Sequence, residues 1–86
     1  MPRVSEFYGI AVYLYYADHN PPHFHAVYGG QQAEVAIRTG EALNGALPKR
    51  VMRLVREWAD QYEAELLENW DRARQGDPLN PIPPLA

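Results

Sequence analysis

The three histidines of the chain, His19, His23 and His25, lie within seven consecutive positions of the segment ADHNPPHFHAVYGG, residues 17–30. An imidazole can exchange protons near neutral pH and can ligate transition metals, so such a cluster is a candidate for either chemistry. Which chemistry is open to it depends on the side chains that neighbouring elements bring to the same face. The pattern of residue types on both sides of the cluster predicts those elements.

The histidines mark the start of a predicted β-hairpin. The segments HFHAVY (23–28) and QQAEVAIRT (31–39) have the composition and alternation of strands. Between them, Gly29-Gly30 is typical of a two-residue hairpin turn with positive φ at both positions. We therefore expect the two segments to pair in an antiparallel manner from this turn.

This turn predicts the pairing of the histidines. Counted back from it, His25 lies opposite Glu34 and His23 lies opposite Ala36. Because side chains alternate along a strand, His23, His25 and Glu34 share one face of the predicted sheet. The other face is apolar and consists of Phe24, Ala26, Ala33 and Val35.

A further strand is predicted before the cluster, over FYGIAVYLYY (7–16), which is rich in aromatic and β-branched residues. Its more apolar face carries Tyr8, Ile10, Val12, Leu14 and Tyr16. Aligning that face with the apolar face of the hairpin places Tyr15 beside His25. We expect a row of Tyr15, His25 and Glu34 across three strands, on the side of the sheet away from the helices.

Such a row predicts acid–base chemistry on a phosphodiester. His25 would be the acid or base, and Glu34 would hold its tautomer. His23, Tyr15 and Arg38 would contact the phosphate. The alternative is that His25 and Glu34 form an ordinary exposed cross-strand pair of modest energetic value.

The same histidines are also candidate metal ligands. His23 and His25 point to one side of a strand, and Asp18 or His19 can approach from the proline-containing loop. Three nitrogen or oxygen ligands with one open position are typical of catalytic zinc, and they also suit nickel or iron. The sequence has no HExxH motif. Alternatively, the prolines stiffen the loop and His19 caps a turn.

A basic strip follows the predicted sheet and is a candidate binding surface. It consists of Lys49, Arg50, Arg53 and Arg56, with no acid among them, and the next 15 residues, 57–71, contain acids but no base. The strip lies opposite an apolar stripe at helical spacing, so it can contact a phosphate backbone or an acidic partner. The alternative is the ordinary solvated side of an amphipathic helix.

The apolar stripe predicts helical structure over 48–74. An unbroken helix of that length would measure about 40 Å and would exceed a domain about 30 Å across. Basic residues at a helix start oppose the helix dipole. A break near Asp60 would instead put the arginines near the end of one helix and the acids at the start of the next. We therefore expect two helices or one kinked helix.

These elements predict an α+β fold. A small antiparallel sheet of three or four strands, the fourth a short one at 41–43, precedes a C-terminal helical segment that packs on one face. We expect a single domain over 1–76 and an extended proline-rich tail over 77–86.

The composition excludes several classes of protein. The 86 residues are 47% hydrophobic and 12% aromatic, which is typical of a compact domain, and the net charge is −3. No cysteine is present for disulfides or thiolate zinc sites. MPRVSEFYGI lacks the features of a signal peptide, and no stretch approaches about 18 apolar residues. We expect a cytoplasmic protein without a membrane partner.

Three segments together resemble a small bacterial family of unknown function. They are DHNPPHFHAVYG (18–29), LPKRVMRLVREW (47–58) and ELLENWDRA (65–73), and the resemblance extends over about 4–81. It implies a short bacterial cytoplasmic protein, frequently encoded beside a second small protein in a toxin–antitoxin-like arrangement. It therefore implies a small cognate protein partner, but it assigns no catalytic or binding residues.

Three functions follow as hypotheses. The first is a component of a toxin–antitoxin-like pair that binds or cleaves RNA through the His/Tyr/Glu face. The second is a binding module without catalysis, in which the helices contact a protein or nucleic acid. The third is a metal-dependent hydrolase or metal sensor that holds a divalent transition metal in the histidine cluster.

Overall fold

The structure is a computed structural model that describes residues 2–16 and 19–86. Its described part contains one antiparallel sheet of five strands in the order β1-β2-β3-β4-β5, so each strand pairs with its neighbours in sequence. The strands are β1 (Arg3–Phe7), β2 (Ile10–Tyr13), β3 (His23–Tyr28), β4 (Gln31–Ala36) and β5 (Ala42–Gly45). The helices α1 (Lys49–Gln61) and α2 (Glu63–Gln75) follow them. The predicted α+β class is confirmed, whereas the predicted three or four strands are too few.

The additional strand arises because the predicted continuous strand over 7–16 is wrong. The chain reverses at Tyr8 and Gly9, which have φ angles of 51° and 79°, and Phe7 pairs with Ile10 across the turn. Left-handed φ is readily adopted by glycine. The strong strand formers on both sides of Gly9 conceal the turn in the sequence, so β1 and β2 appear there as one element.

This reversal also changes the predicted faces. Ile10, Val12 and Leu14 are fully buried, as their alternation predicts. Tyr8 and Tyr16, expected on the same buried face, are 62% and 46% exposed. Tyr8 belongs to the β1–β2 turn and Tyr16 follows the end of β2, so neither continues the alternation of the strand.

The β3–β4 hairpin has the predicted register. Tyr28 pairs with Gln31, and the pairing continues to His25 with Glu34 and His23 with Ala36. Of the two turn glycines only Gly29 has a positive φ, at 59°, so the expectation of two left-handed residues is wrong. The register is nevertheless kept, because the buried residues of the two strands must face the same side.

The helical segment divides into two helices, as the charge pattern predicts. The break is at Tyr62, whose φ and ψ are −116° and 31°. Glu63 and Glu65 lie in the first turn of α2, where acidic side chains interact favourably with the helix dipole. The expectation that the arginines fall near the end of the first helix is wrong, because the last turn of α1 contains no basic residue.

The C-terminal segment over 77–86 forms neither helix nor strand and packs onto the core. Ile82 and Leu85 are buried, and the Ile82 N–H donates to the carbonyl of Val4 in β1 (2.8 Å). The indole N–H of Trp58, a central residue of the core, donates to the Pro83 carbonyl (2.8 Å). The tail therefore covers β1, at one edge of the sheet.

Neither described helix combines the length and apolar composition needed to cross a bilayer.

Candidate metal centre

Both helices reach β3, but through residues that point to opposite faces of the sheet. The ring of Phe24 lies 5.7 Å from Trp58 of α1, and the ring of its neighbour His23 lies 5.3 Å from Trp70 of α2. Because adjacent strand residues face opposite sides, Trp70 of α2 reaches the histidine face of the sheet at this point. The expectation that the histidines lie on a side away from the helices is therefore wrong.

The histidine face is consequently enclosed. His23 is 1% exposed and His25 is 9% exposed. Their ring centroids are 5.2 Å apart, and the ring of Tyr15 stands edge-on to His25 at 4.3 Å. The predicted contact between Tyr15 and His25 is thus present, but the predicted register is wrong, because the β2 partner of His25 is Tyr13 and Tyr15 lies beyond the end of β2. The two imidazoles are packed within the protein.

The backbone of the proline loop orients His23. Nδ1 of His23 lies 2.8 Å from the carbonyl oxygen of Pro21. A carbonyl oxygen can only accept a hydrogen bond, so Nδ1 carries the proton. In the neutral ring Nε2 then presents its lone pair. A backbone carbonyl that holds Nδ1–H in this way is the usual support of a histidine that ligates a metal through Nε2.

The carboxylate of Glu34 approaches this nitrogen. Oε1 of Glu34 lies 3.6 Å from Nε2 of His23, and the side chain of Glu34 is 21% exposed. In the neutral Nδ1–H tautomer both atoms are electron-pair donors, so this approach is favourable when a proton or a metal cation lies between them. Two ligands of a tetrahedral zinc ion are roughly 3.3 Å apart, given bond lengths of about 2.0–2.1 Å. The observed separation is close to that value.

His19 supplies a third ligand atom from the loop. One ligand atom each from His19, His23 and Glu34 lies within 4.8 Å of the other two. The rings of His19 and His23 have centroids 5.2 Å apart, and His19 is exposed. The cluster therefore has one buried, one partly exposed and one exposed member. A metal bound there would keep a side open to solvent.

The comparisons with known proteins place this site within a family. The family described as a domain of unknown function, DUF4160, matches residues 9–71. The chain belongs to the DUF4160 family. The DUF4160 match contains all three members of the cluster, the strands β3 and β4 that carry His23 and Glu34, and α1. No curated protein and no solved structure matches the chain.

The cluster in this DUF4160 domain differs in part from the predicted ligand set. His19 and His23 belong to both. Glu34, predicted to orient His25, is the third member, because its side chain reaches diagonally across the sheet to His23. His25 is beside the cluster and not part of it, and Asp18 lies outside the described residues.

Two residues around the cluster were not predicted to belong to the site. Trp70 of α2 belongs to the hydrophobic core, and its ring also packs on His23. Its buried Nε1 has no hydrogen-bond partner within the described residues. Pro21, through its carbonyl, orients His23. The PPH sequence before the strand is the only local signal of that contact.

Four of the five predicted basic residues belong to α1, and the fifth, Arg38, follows β4. Lys49, Arg53 and Arg56 are exposed on α1 and line one groove with Leu47 and Met52. Arg50 is exposed on the same helix. Arg38 follows β4 and lines a different cavity of about 240 Å³, which Arg56 also borders. Arg56 thus lines both the groove and the cavity.

Proposed function

We propose that this DUF4160 protein binds a divalent transition-metal ion through His19, His23 and Glu34. The observation that carries the proposal is the convergence of three ligand atoms within 4.8 Å. Support comes from the Pro21 carbonyl, which directs Nε2 of the buried His23 towards the carboxylate. Two imidazoles and a carboxylate suit zinc, iron, cobalt or nickel and disfavour magnesium and calcium, which prefer oxygen ligands.

The chemistry open to such a centre follows from its ligand number. Three protein ligands leave at least one coordination position for water or a substrate, as in catalytic zinc sites with two histidines and one glutamate. A metal held by these three side chains would lower the pKa of a bound water and so supply a nucleophile, which makes hydrolysis the reaction class that this ligand set favours. Metal sensing is the alternative use of the same ligands.

The test is a titration of untagged protein with Zn²⁺, Ni²⁺ and Co²⁺ in an isothermal calorimeter. Elemental analysis of the protein then measures the amount of bound metal. We expect one ion per chain and a Co²⁺ absorption spectrum typical of nitrogen and oxygen ligands. His19→Ala removes an exposed ligand without disturbing the core, so it should lower affinity more than tenfold. Asn20→Ala, an exposed neighbour in the same loop, is the matched control and should bind as the parent does.

Two results would refute the metal centre. The first is an absence of stoichiometric binding of all three ions. The second is unchanged affinity in a His19→Ala, Glu34→Gln double variant that keeps the parent's circular dichroism spectrum.

The hypothesis of a toxin–antitoxin-like pair that binds or cleaves RNA remains a prediction. The burial of His23 and His25 disfavours direct contact with a polynucleotide and supports the metal centre in preference. Expression of the protein alone should arrest growth if it is the toxin of such a pair. His25→Ala should then relieve the arrest if His25 is the acid or base, and persistent arrest in a folded variant would exclude that role.

A further inference from the structure

The two edges of the sheet differ in how the chain covers them. The β1 edge receives the C-terminal tail, through the hydrogen bond from Ile82 to Val4. At the opposite edge, all four residues of β5 are exposed, and Leu43 at 43% is one of the most exposed large apolar residues. Within the described residues no strand pairs with the outer side of β5. An exposed edge of this kind can receive an added strand.

Helix α1 contacts the chain at both ends of β5. Before the strand, Nε of Arg56 donates to the carbonyl of Gly40 (2.8 Å). After the strand, Leu47 forms one side of a groove of about 440 Å³ whose other lining residues, Lys49, Met52, Arg53 and Arg56, belong to α1. Leu47 is two residues beyond Gly45, the last residue of β5, so the groove begins close to that end of the exposed strand.

The groove has positive charges that form no ion pair with a carboxylate of the described residues. Lys49, Arg53 and Arg56 contribute three cations, and Leu47 and Met52 contribute apolar surface. No carboxylate in the described part of the chain lies within 4.0 Å of these cations. The groove therefore complements a ligand that has negative charges and apolar groups.

We propose that β5 and this groove dock an extended, acidic peptide segment of a partner protein. The segment adds to the sheet beside β5 through backbone hydrogen bonds, and its carboxylates meet the cations of α1. The backbone edge and the apolar lining favour a peptide over a nucleic acid. A second copy paired symmetrically through β5 would bring two cationic grooves together, so charge repulsion disfavours it. The inference does not depend on the metal centre.

The experiment uses a fluorescent hexapeptide of alternating Val and Glu as the probe, with binding followed by anisotropy and by amide NMR of the full chain. We expect saturable binding and shifts of the Ala42–Gly45 amides. A Val–Lys hexapeptide tests charge, and a Val–Glu hexapeptide N-methylated at alternate residues tests the backbone ladder. Both should bind at least tenfold more weakly.

Variants of the protein test the groove. Arg53→Glu reverses one exposed cation and should weaken binding of the Val–Glu probe at least tenfold. Arg74→Glu, an exposed reversal in the last turn of α2, is the matched control and should leave binding within twofold. Thermal melts of both variants confirm that they are folded.

Four results would overturn the proposal. One is absence of binding of the Val–Glu probe, and another is equal binding of its N-methylated form. The third is binding of a twelve-nucleotide oligouridine that shifts the Arg53 amide signal but not the amide signals of β5. This result would mean that the groove binds nucleic acid. The fourth is a stable dimer in light scattering with β5 amides protected before any probe is added.

Discussion

The side chain of His23 meets Glu34 diagonally across the β3–β4 pair, with Nε2 and Oε1 3.6 Å apart, although the direct strand partner of His23 is Ala36. Diagonal neighbours on one face of a sheet are within reach of long side chains. The side chain of Ala36 is only a methyl group, so it leaves space on this face that the longer side chain of Glu34 can enter. The carboxylate consequently joins the histidine that the loop backbone orients.

Glu34→Gln tests the charge of this carboxylate at nearly constant shape. A neutral amide is a poor ligand for zinc, so we expect metal affinity to fall by more than about tenfold, since even the outer partners of metal ligands are worth about 10–100-fold. The measurement is competition with a chromophoric chelator. Glu41→Gln, an exposed acid beyond β4, should keep the parent's affinity. Equal losses in both variants would show a general charge effect in place of ligation.

The contact between Trp70 and His23 predicts an optical signal for metal binding. A paramagnetic ion such as Ni²⁺ quenches a nearby excited indole, and the two rings are 5.3 Å apart. We expect saturable quenching with Ni²⁺ and little quenching with Zn²⁺. Trp70→Phe keeps an aromatic ring and should lose most of the Ni²⁺ signal, although Trp58 remains. Full quenching in this variant would mean that the ion binds elsewhere.

The junction between α2 and the tail predicts a measurable share of the stability. Asn69 is 1% exposed, donates from Nδ2 to the Asn80 carbonyl (2.8 Å) and accepts from the Asn80 N–H (2.9 Å). Asn69→Ala leaves both backbone groups without these bonds, so the free energy of unfolding should fall by about 1–3 kcal/mol. Urea denaturation measures this change in the free energy of unfolding. Gln75→Ala, exposed on the same helix, should change it by less than about 0.5 kcal/mol.

Two glycines with positive φ make a matched pair. Gly29 (φ 59°) has open space where a Cβ would lie, whereas a Cβ at Gly45 (φ 74°) would collide with the carbonyl oxygen of Gln32. Gly29→Ala should lower the free energy of unfolding by roughly 1–2 kcal/mol, since only the left-handed backbone conformation is strained. Gly45→Ala should cost about 1–3 kcal/mol more because the backbone must move. Thermal unfolding of both variants measures the two losses of stability. Equal losses would contradict the close approach of β5 to β4.

The sequence by itself determined the β3–β4 hairpin and the side of the sheet shared by His23, His25 and Glu34. It also predicted a break or kink in the helical segment, through the acids that begin α2. Each depends on short-range physics: a glycine turn, the two-residue alternation of strands, and charges that interact with the helix dipole within one turn. The β1–β2 reversal at Gly9 is also local, but strong strand formers on both sides conceal it.

Only the tertiary structure decided which histidine meets Glu34, how far the histidines are buried and where the tail lies. Trp70 is 47 residues from His23 in sequence, and Ile82 is 78 residues from Val4. The hydrophobic periodicity of the sequence predicts neither contact, because side chains far apart in sequence meet only when whole elements pack together. His19 joins the cluster through the path of a proline loop, which no strand or helix period predicts. The histidines and Glu34 were therefore recognisable as candidates from their types and spacing. Which three of the side chains converge on one point could be read only from the tertiary structure.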